Sequence, residues 1–137
     1  MNTNYLKDFV PCEQALALKE VGFDEPCLMS YLGKDKEPYL KCDDILHLPA
    51  EDVLNPLKAP TFSQAFRWFR EEYGLQCWPE ITGTNTYLCR YDGNDETGKR
   101  WVGYLKAYGE TMFYSKYEEA ELACLKKLIE IVKTTQK

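Results

Sequence analysis

The chain has 137 residues, with 17 basic and 22 acidic side chains, a formal net charge of −5 and 45% hydrophobic residues. This composition predicts a folded globular protein rather than a disordered or fibrous one, and the length suits one domain with one core. The negative charge disfavours nonspecific nucleic-acid binding unless the basic residues gather on one face.

We predict a single domain over residues 1–137, of which residues 11–60 form an N-terminal part. Pro11 suits the first turn of a helix and Gly22 a left-handed stop, so a helix is expected from about residue 11 to 21. The stretches "EPCLMSYL" and "PYLKC" then predict a strand, a turn and a second strand. Residues 43–60 contain three prolines and no sustained period, which indicates mainly a connector with room for one short helical turn.

Residues 61–137 are predicted to form a helix, three strands and a closing helix. The runs "LQCWPEIT", "NTYLCRYD" and "KRWVGYLKAY" have the composition of strands, and "GNDETG" is a polar turn between the last two. Pro79 cannot donate to a strand ladder, so the first strand should lie at an edge or break there. The closing helix begins with a capping box at Ser115 and Glu118. The expected fold class is therefore α+β, an antiparallel sheet with helices packed on one face.

The helix that starts near Thr61 is the clearest element, because Thr61 and Gln64 have capping-box spacing and Gly74 provides a stop. At about 100° per residue its apolar side chains form one face that should belong to the core: Phe62, Ala65, Phe66, Phe69 and Tyr73.

Trp68 lies outside this face on the helical wheel, so it is either covered by the N-terminal half or partly exposed. An exposed Trp68 would be a natural anchor for a partner protein, because Trp and Arg dominate interface energetics. Arg67 and Arg70 project to the other flank, where Arg67 can also pair with Glu71 one turn on. Trp68, Arg67 and Arg70 are our candidate partner-binding residues.

The six cysteines are never closer than twelve positions, so no pair has the spacing of a zinc knuckle or a redox dithiol. We expect reduced, dispersed thiols that act as small hydrophobic side chains, with a disulfide framework as the alternative. No metal site and no cofactor are predicted. The six are Cys12, Cys27, Cys42, Cys77, Cys89 and Cys124.

Catalytic patterns are sparse in this chain. His47 is the only histidine, and it lies between two leucines in the predicted connector. The stretch "DGNDETG" has acidic residues at alternate positions, but its glycine is displaced from the place that a calcium loop requires, so a hairpin turn explains it better. Acidic pairs in the connector could serve acid–base chemistry only if a cleft joined them: Asp43 with Asp44 and Glu51 with Asp52. We therefore expect no enzymatic activity.

Two resemblances bear on function. In order of elements, residues 61–133 resemble the double-stranded-RNA-binding domain, and "SKYEEAELACL" is similar to that family's "SKK-x-A-K-x-x-A-A". Over most of its length the chain also resembles a family of small uncharacterised proteins of Bacteroidetes bacteria and their phages, through "EQALALKEVGFDEPC", "APTFSQAFRWFREEYGL" and "YEEAELACLKKLIEIVK". That resemblance implies a phage or prophage setting and assigns no catalytic residue.

The expected function is that of a small accessory protein that binds a protein of the bacterial host or phage. The N-terminus lacks a signal-peptide pattern and no apolar run approaches the ~20 residues that span a bilayer, so we expect a cytoplasmic protein without a membrane partner. The alternative is binding of a nucleotide or nucleic acid by strand aromatics that offer stacking surfaces: Trp78, Tyr87, Tyr91, Trp101 and Tyr104.

We predict that the protein does not bind double-stranded RNA at physiological salt. Such domains grip phosphates with basic residues at the start of the last helix, whereas here Lys116 is followed by Glu118 and Glu119. These carboxylates suit the positive end of the helix dipole instead. Titration with a duplex of about 20 base pairs, longer than the ~16 that such a domain spans, measures this directly. Submicromolar, salt-sensitive binding that Lys116→Ala abolishes would contradict the prediction.

Overall fold

The computed structural model describes residues 4–33, 35–40, 55–95 and 97–135. The fold is α+β as predicted, with helices packed against antiparallel sheets. The chain divides into two compact units, Met1–Ser63 and Gln64–Lys137, close to the predicted division at residue 60. That all 137 residues form one domain stays a prediction. Within the described ranges, no helix is long and apolar enough to cross a membrane.

The first unit contains a 3-10 helix, Asn4–Asp8, the helix α1, Cys12–Glu20, and a three-stranded antiparallel sheet. Its strands are β1, Met29–Leu32, β2, Glu37–Leu40, and β3, Leu57–Ala59, in the order β2-β1-β3.

The predicted boundaries of α1 are confirmed to within a residue. Its end is a Schellman motif, in which the Phe23 N–H donates to the Leu18 carbonyl at 3.0 Å and the Gly22 N–H donates to the Lys19 carbonyl at 3.1 Å. Gly22 has φ 107°, a conformation that favours glycine.

The strand β3 was not predicted, because Leu57–Ala59 lies in the segment interpreted as a connector. Leu57 and Ala59 are buried on both sides of Lys58, and β3 pairs with β1. Three residues before a proline are too short to show a period of two, so tertiary pairing decides their conformation. The rest of the predicted connector, residues 41–54, lies outside the described residues.

The second unit has the predicted order of helix, strands and helix. Its first helix is α2 (Phe62–Tyr73), which begins just before the boundary between the units, and its last is α3 (Tyr117–Thr135). Between them lie three longer strands, β4 (Gln76–Ile81), β5 (Tyr87–Asn94) and β6 (Arg100–Tyr104). A small hairpin follows, formed by β7 (Lys106–Ala107) and β8 (Glu110–Thr111). The three longer strands form an antiparallel sheet in the order β4-β5-β6. Pro79 thus lies on an edge strand, as predicted.

The helix α3 packs on strands β4 and β5 and covers one side of this sheet. On that side the Lys127 ammonium lies 5.2 Å from the centre of the Tyr91 ring, and the rings of Tyr87 and Tyr117 meet edge-on at 5.7 Å. We call this side the helix face and the other side the opposite face. A Cβ at Gly103 would lie 2.7 Å from the Tyr91 ring, so only glycine allows this ring to lie across β6.

The buried side of α2 is rotated from the predicted one. Phe62, Ala65 and Phe69 are buried as expected, but Trp68 is buried in place of Phe66, which is half-buried. Tyr73, which was predicted to join the core, is 38% exposed. A buried face that includes Phe66 and one that includes Trp68 differ by a small rotation about the helix axis, and periodicity alone cannot decide between them.

This rotation predicts unequal costs for truncating two phenylalanines one turn apart. Phe69 has no exposed surface, so Phe69→Ala should lower the free energy of unfolding by about 3–5 kcal/mol. Phe66→Ala is the matched control and should cost clearly less, because part of that ring already contacts water. Urea unfolding followed by circular dichroism measures both variants. Equal or larger destabilisation by Phe66→Ala would restore the predicted face.

Candidate functional site

The opposite face of the β4-β5-β6 sheet contains a row of three large side chains. Trp78, Arg90 and Tyr104 are directly opposite one another on β4, β5 and β6. The guanidinium carbon of Arg90 lies 5.3 Å from the centre of the Trp78 ring and 6.0 Å from that of the Tyr104 ring. These are cation–π distances, so the two rings hold the charge between them. We call these residues the Trp–Arg–Tyr row.

Polar contacts in this row are long. The Arg90 Nη1 donates to the Tyr104 hydroxyl at 3.5 Å and lies 3.8 Å from Glu80 Oε2, to which the Tyr104 hydroxyl also donates at 3.5 Å. The Nε of Arg90 is buried and has no hydrogen-bond partner among the described residues. The rings, rather than strong hydrogen bonds, therefore hold the guanidinium in place.

Beside the row, a second charge pair leaves this face electrically balanced. Asp92 is buried, and its carboxylate forms an ion pair with Arg100, whose side chain is largely exposed. In the two ion pairs of this face, the negative charges of Glu80 and Asp92 are balanced by the positive charges of Arg90 and Arg100. The basic residues do not form a segregated positive patch here.

The acidic stretch before β6 is a hairpin turn, as predicted. Asp95 Oδ1 accepts hydrogen bonds from the Thr97 hydroxyl at 2.7 Å, and from the backbone N–H groups of Thr97 and Lys99 at 2.9 Å each. The hydrogen bond from the Thr97 side chain and those from the backbone lower the pKa of Asp95. This carboxylate is thus occupied by its own turn.

A second constellation lies on the helix face. Cys77 on β4, Cys89 on β5 and Cys124 on α3 are all buried, and their Sγ atoms lie within 4.8 Å of one another. The Sγ atoms of Cys77 and Cys89 are 3.4 Å apart, at hydrogen-bonding distance. We call this group the thiol cluster. The expectation of dispersed cysteines is therefore wrong for these three.

The thiol cluster is electrostatically uneven. Hydrogen bonds with the Cys124 and Cys77 thiols, followed by the nearby Lys127 charge, lower the pKa of Cys89, while burial opposes this shift. Hydrogen bonds with Cys124 and Cys89, together with burial, raise the pKa of Cys77. Three sulfur atoms gathered at one buried point are suited to bind a soft metal ion.

The other described cysteines, Cys12 and Cys27, do not belong to the thiol cluster, and that the thiols are reduced stays a prediction. Cys42 lies outside the described residues, as do His47 and the acidic pairs of the connector.

The structure separates the three candidate partner-binding residues of α2. Trp68 is only 6% exposed and its ring meets those of Phe69 and Tyr73 edge-on, so it is covered and not available as an exposed anchor. The anchor hypothesis for Trp68 is therefore corrected, because a partner can grip only an accessible side chain. Arg67 and Arg70 are exposed, and their role in binding stays a prediction.

The five strand aromatics are divided between the two faces. Trp78 and Tyr104 belong to the row on the opposite face, whereas Tyr91 and Tyr87 lie against α3 on the helix face. Trp101 shares the helix face with Tyr91, whose ring it meets edge-on at 5.9 Å. Sequence reasoning missed Arg90 between the two aromatic residues, although a hairpin register would have aligned all three.

Comparison with known proteins adds no identification. No family model, no curated protein and no solved structure matches this chain. The geometry of the Trp–Arg–Tyr row and the thiol cluster therefore carries the functional argument.

The burial of the thiol cluster predicts selective protection in the native protein. Cys12 is partly exposed, so it should be alkylated at least about tenfold faster than the cluster thiols, whose reaction requires opening of the sheet or of α3. Mass-spectrometric mapping after a timed pulse of iodoacetamide measures each site. In the denatured, unreduced control, all six cysteines of the chain should react. Cluster thiols that react as fast as Cys12 would contradict this packing.

Proposed function

We propose that this chain is a small, non-enzymatic, cytoplasmic binding protein of a Bacteroidetes bacterium or its phage, which acts by contact with a protein of the host or phage. The observation that carries the proposal is the Trp–Arg–Tyr row on the opposite face of the sheet. The single histidine of the sequence and the family resemblance, which assigns no catalytic residue, support a role without chemistry.

The composition of the row favours a protein partner. Trp, Tyr and Arg are the residue types that supply most of the energy at protein interfaces, and here one of each is aligned across three strands. Exposed Val102, at 46%, extends the apolar surface on the same face beside Asp92. A small group of large side chains surrounded by balanced charge is typical of an interface core with a polar rim.

The row is held in place before any partner arrives. Its backbone belongs to a hydrogen-bonded sheet, and the guanidinium of Arg90 is held between two rings. Binding therefore orders few additional side chains, each of which would otherwise cost about 0.5–1.5 kcal/mol. A rigid sheet face suits recognition of a preformed protein surface.

The test is affinity capture followed by binding measurements with the purified partner. Tagged wild-type protein is compared with Trp78→Ala and Tyr104→Ala in extracts of the producing cell, and captured proteins are identified by mass spectrometry. Each truncation should raise the dissociation constant of the complex with the purified partner by more than about tenfold, which corresponds to about 1.4 kcal/mol.

Tyr108→Ala is the matched control, because Tyr108 is a fully exposed tyrosine outside the three-stranded sheet. It should leave capture and affinity unchanged. A partner that binds Trp78→Ala and Tyr104→Ala as tightly as wild type would contradict a role for the row, and thermal unfolding of each variant separates lost contacts from lost folding.

A second candidate is binding of a nucleotide or a single-stranded nucleic acid. One observation favours it: Trp78 and Tyr104 present two rings on the same face with Arg90 between them, as in a stacking platform. The balanced charge of this face argues against it, since backbone phosphates require an excess of basic side chains. Fluorescence titration of Trp78 with mixed-sequence single-stranded oligonucleotides distinguishes the two, because salt-sensitive binding lost in Trp78→Ala would support this candidate instead.

A further inference from the structure

The thiol cluster is not used by the proposed binding function, because it lies on the helix face whereas the Trp–Arg–Tyr row lies on the opposite face. Cys77, Cys89 and Cys124 come from three different elements, and all three Sγ atoms point to one small buried volume. We propose that the thiol cluster is a three-coordinate binding site for Cu(I), with the three cysteine sulfurs as ligands.

The distances fit a trigonal site. A metal–sulfur bond of about 2.3 Å places the sulfurs of a planar trigonal centre about 4 Å apart. In the cluster, the Sγ atoms of Cys77 and Cys89 are 3.4 Å apart and every pair lies within 4.8 Å, so the three sulfurs are close enough to share one ion.

The ligand set indicates the metal. Cysteine sulfur is a soft donor that selects Cu(I), Zn²⁺ and iron–sulfur clusters, whereas Mg²⁺ and Ca²⁺ require oxygen ligands. Structural zinc sites use four protein ligands, and among the described residues no fourth His, Cys, Asp or Glu ligand atom joins this group. Three sulfurs in a closed apolar environment therefore suit Cu(I) better than Zn²⁺.

The surroundings supply what the bound ion needs. Cys77 is 5% exposed, and Cys89 and Cys124 have no exposed surface, so water and competing ligands are kept from the ion. Lys127 follows Cys124 by one helical turn and acts electrostatically on Cys89, so its ammonium offsets part of the negative charge of the thiolates. Binding releases thiol protons to solvent, as for other thiolate sites.

Buried cysteines also serve as plain core side chains, and a competition experiment separates the two roles. The full-length native protein is reduced, freed of metal and titrated with Cu(I) under argon against the chromogenic chelator bicinchoninate. We expect one Cu(I) per chain to be retained against the chelator. X-ray absorption of the loaded protein should show three sulfur neighbours.

Cys124→Ala removes one ligand and should weaken Cu(I) retention by more than about 100-fold, beyond the loss typical of outer-shell changes. Cys27→Ala is the matched control, since Cys27 is also buried but lies in the first unit, and it should retain Cu(I) like wild type. Circular dichroism of each metal-free variant reports whether it folds, and Cys77→Ala replaces Cys124→Ala if the latter does not.

Three results would overturn the proposal. They are a wild-type protein that yields all its Cu(I) to the chelator, equal retention by the cluster variants and wild type, and an absorption spectrum with fewer than three sulfur neighbours. Retention of Zn²⁺ in preference to Cu(I) would also overturn it, because it would require a fourth ligand. None of these results bears on partner binding by the Trp–Arg–Tyr row, which lies on the opposite face of the sheet.

Discussion

The packing of α3 on strands β4 and β5 is the interaction on which the second unit depends. Its buried stripe consists of Ala120, Cys124, Leu125, Leu128, Ile129 and Val132, and burial of each larger side chain contributes about 1.5–3 kcal/mol. This contact covers one face of the sheet and leaves the other to the Trp–Arg–Tyr row. The same packing brings the sulfur of Cys124 close to those of Cys77 and Cys89. The two candidate sites thus have one cause, because a single helix decides which side chains are covered and which remain accessible.

Much of the fold could be predicted from local patterns. Capping residues and terminal glycines located the α-helices of the described residues, and strand-like composition located the strands of the main sheet. The strand β3 could not be found this way, since Leu57–Ala59 is defined by pairing with β1 rather than by its own composition. The rotation of α2 was missed for a related reason. Periodicity gives the width of an apolar face, whereas the position of its centre depends on what packs against it.

The candidate sites were harder to predict because both depend on register. Cys77 is not opposite Cys89 but opposite Tyr91, so the two thiols meet along a diagonal that exists in one strand alignment only. That alignment is set by the turn after β4, where the Thr82 N–H donates to the Thr86 carbonyl at 2.8 Å. Cys124 is 35 positions further along the chain, and its place above the strands follows from helix packing. Spacing rules for metal ligands detect cysteines that are close together in the sequence, and these three cysteines are far apart in it.

Pro79 gives the outer edge of the sheet a further property. The Cys89 carbonyl accepts a hydrogen bond from the Leu105 N–H, so the backbone groups of Cys89 point toward β6. The backbone groups of Pro79, the direct partner of Cys89 on β4, therefore point away from β5, to the side on which no described strand pairs with β4. At this position the edge of β4 lacks a hydrogen-bond donor, because the proline ring of Pro79 replaces the backbone N–H that other residues have. A strand from another molecule laid along β4 would lose a hydrogen bond in the middle of the ladder, which protects the sheet against edge-to-edge aggregation.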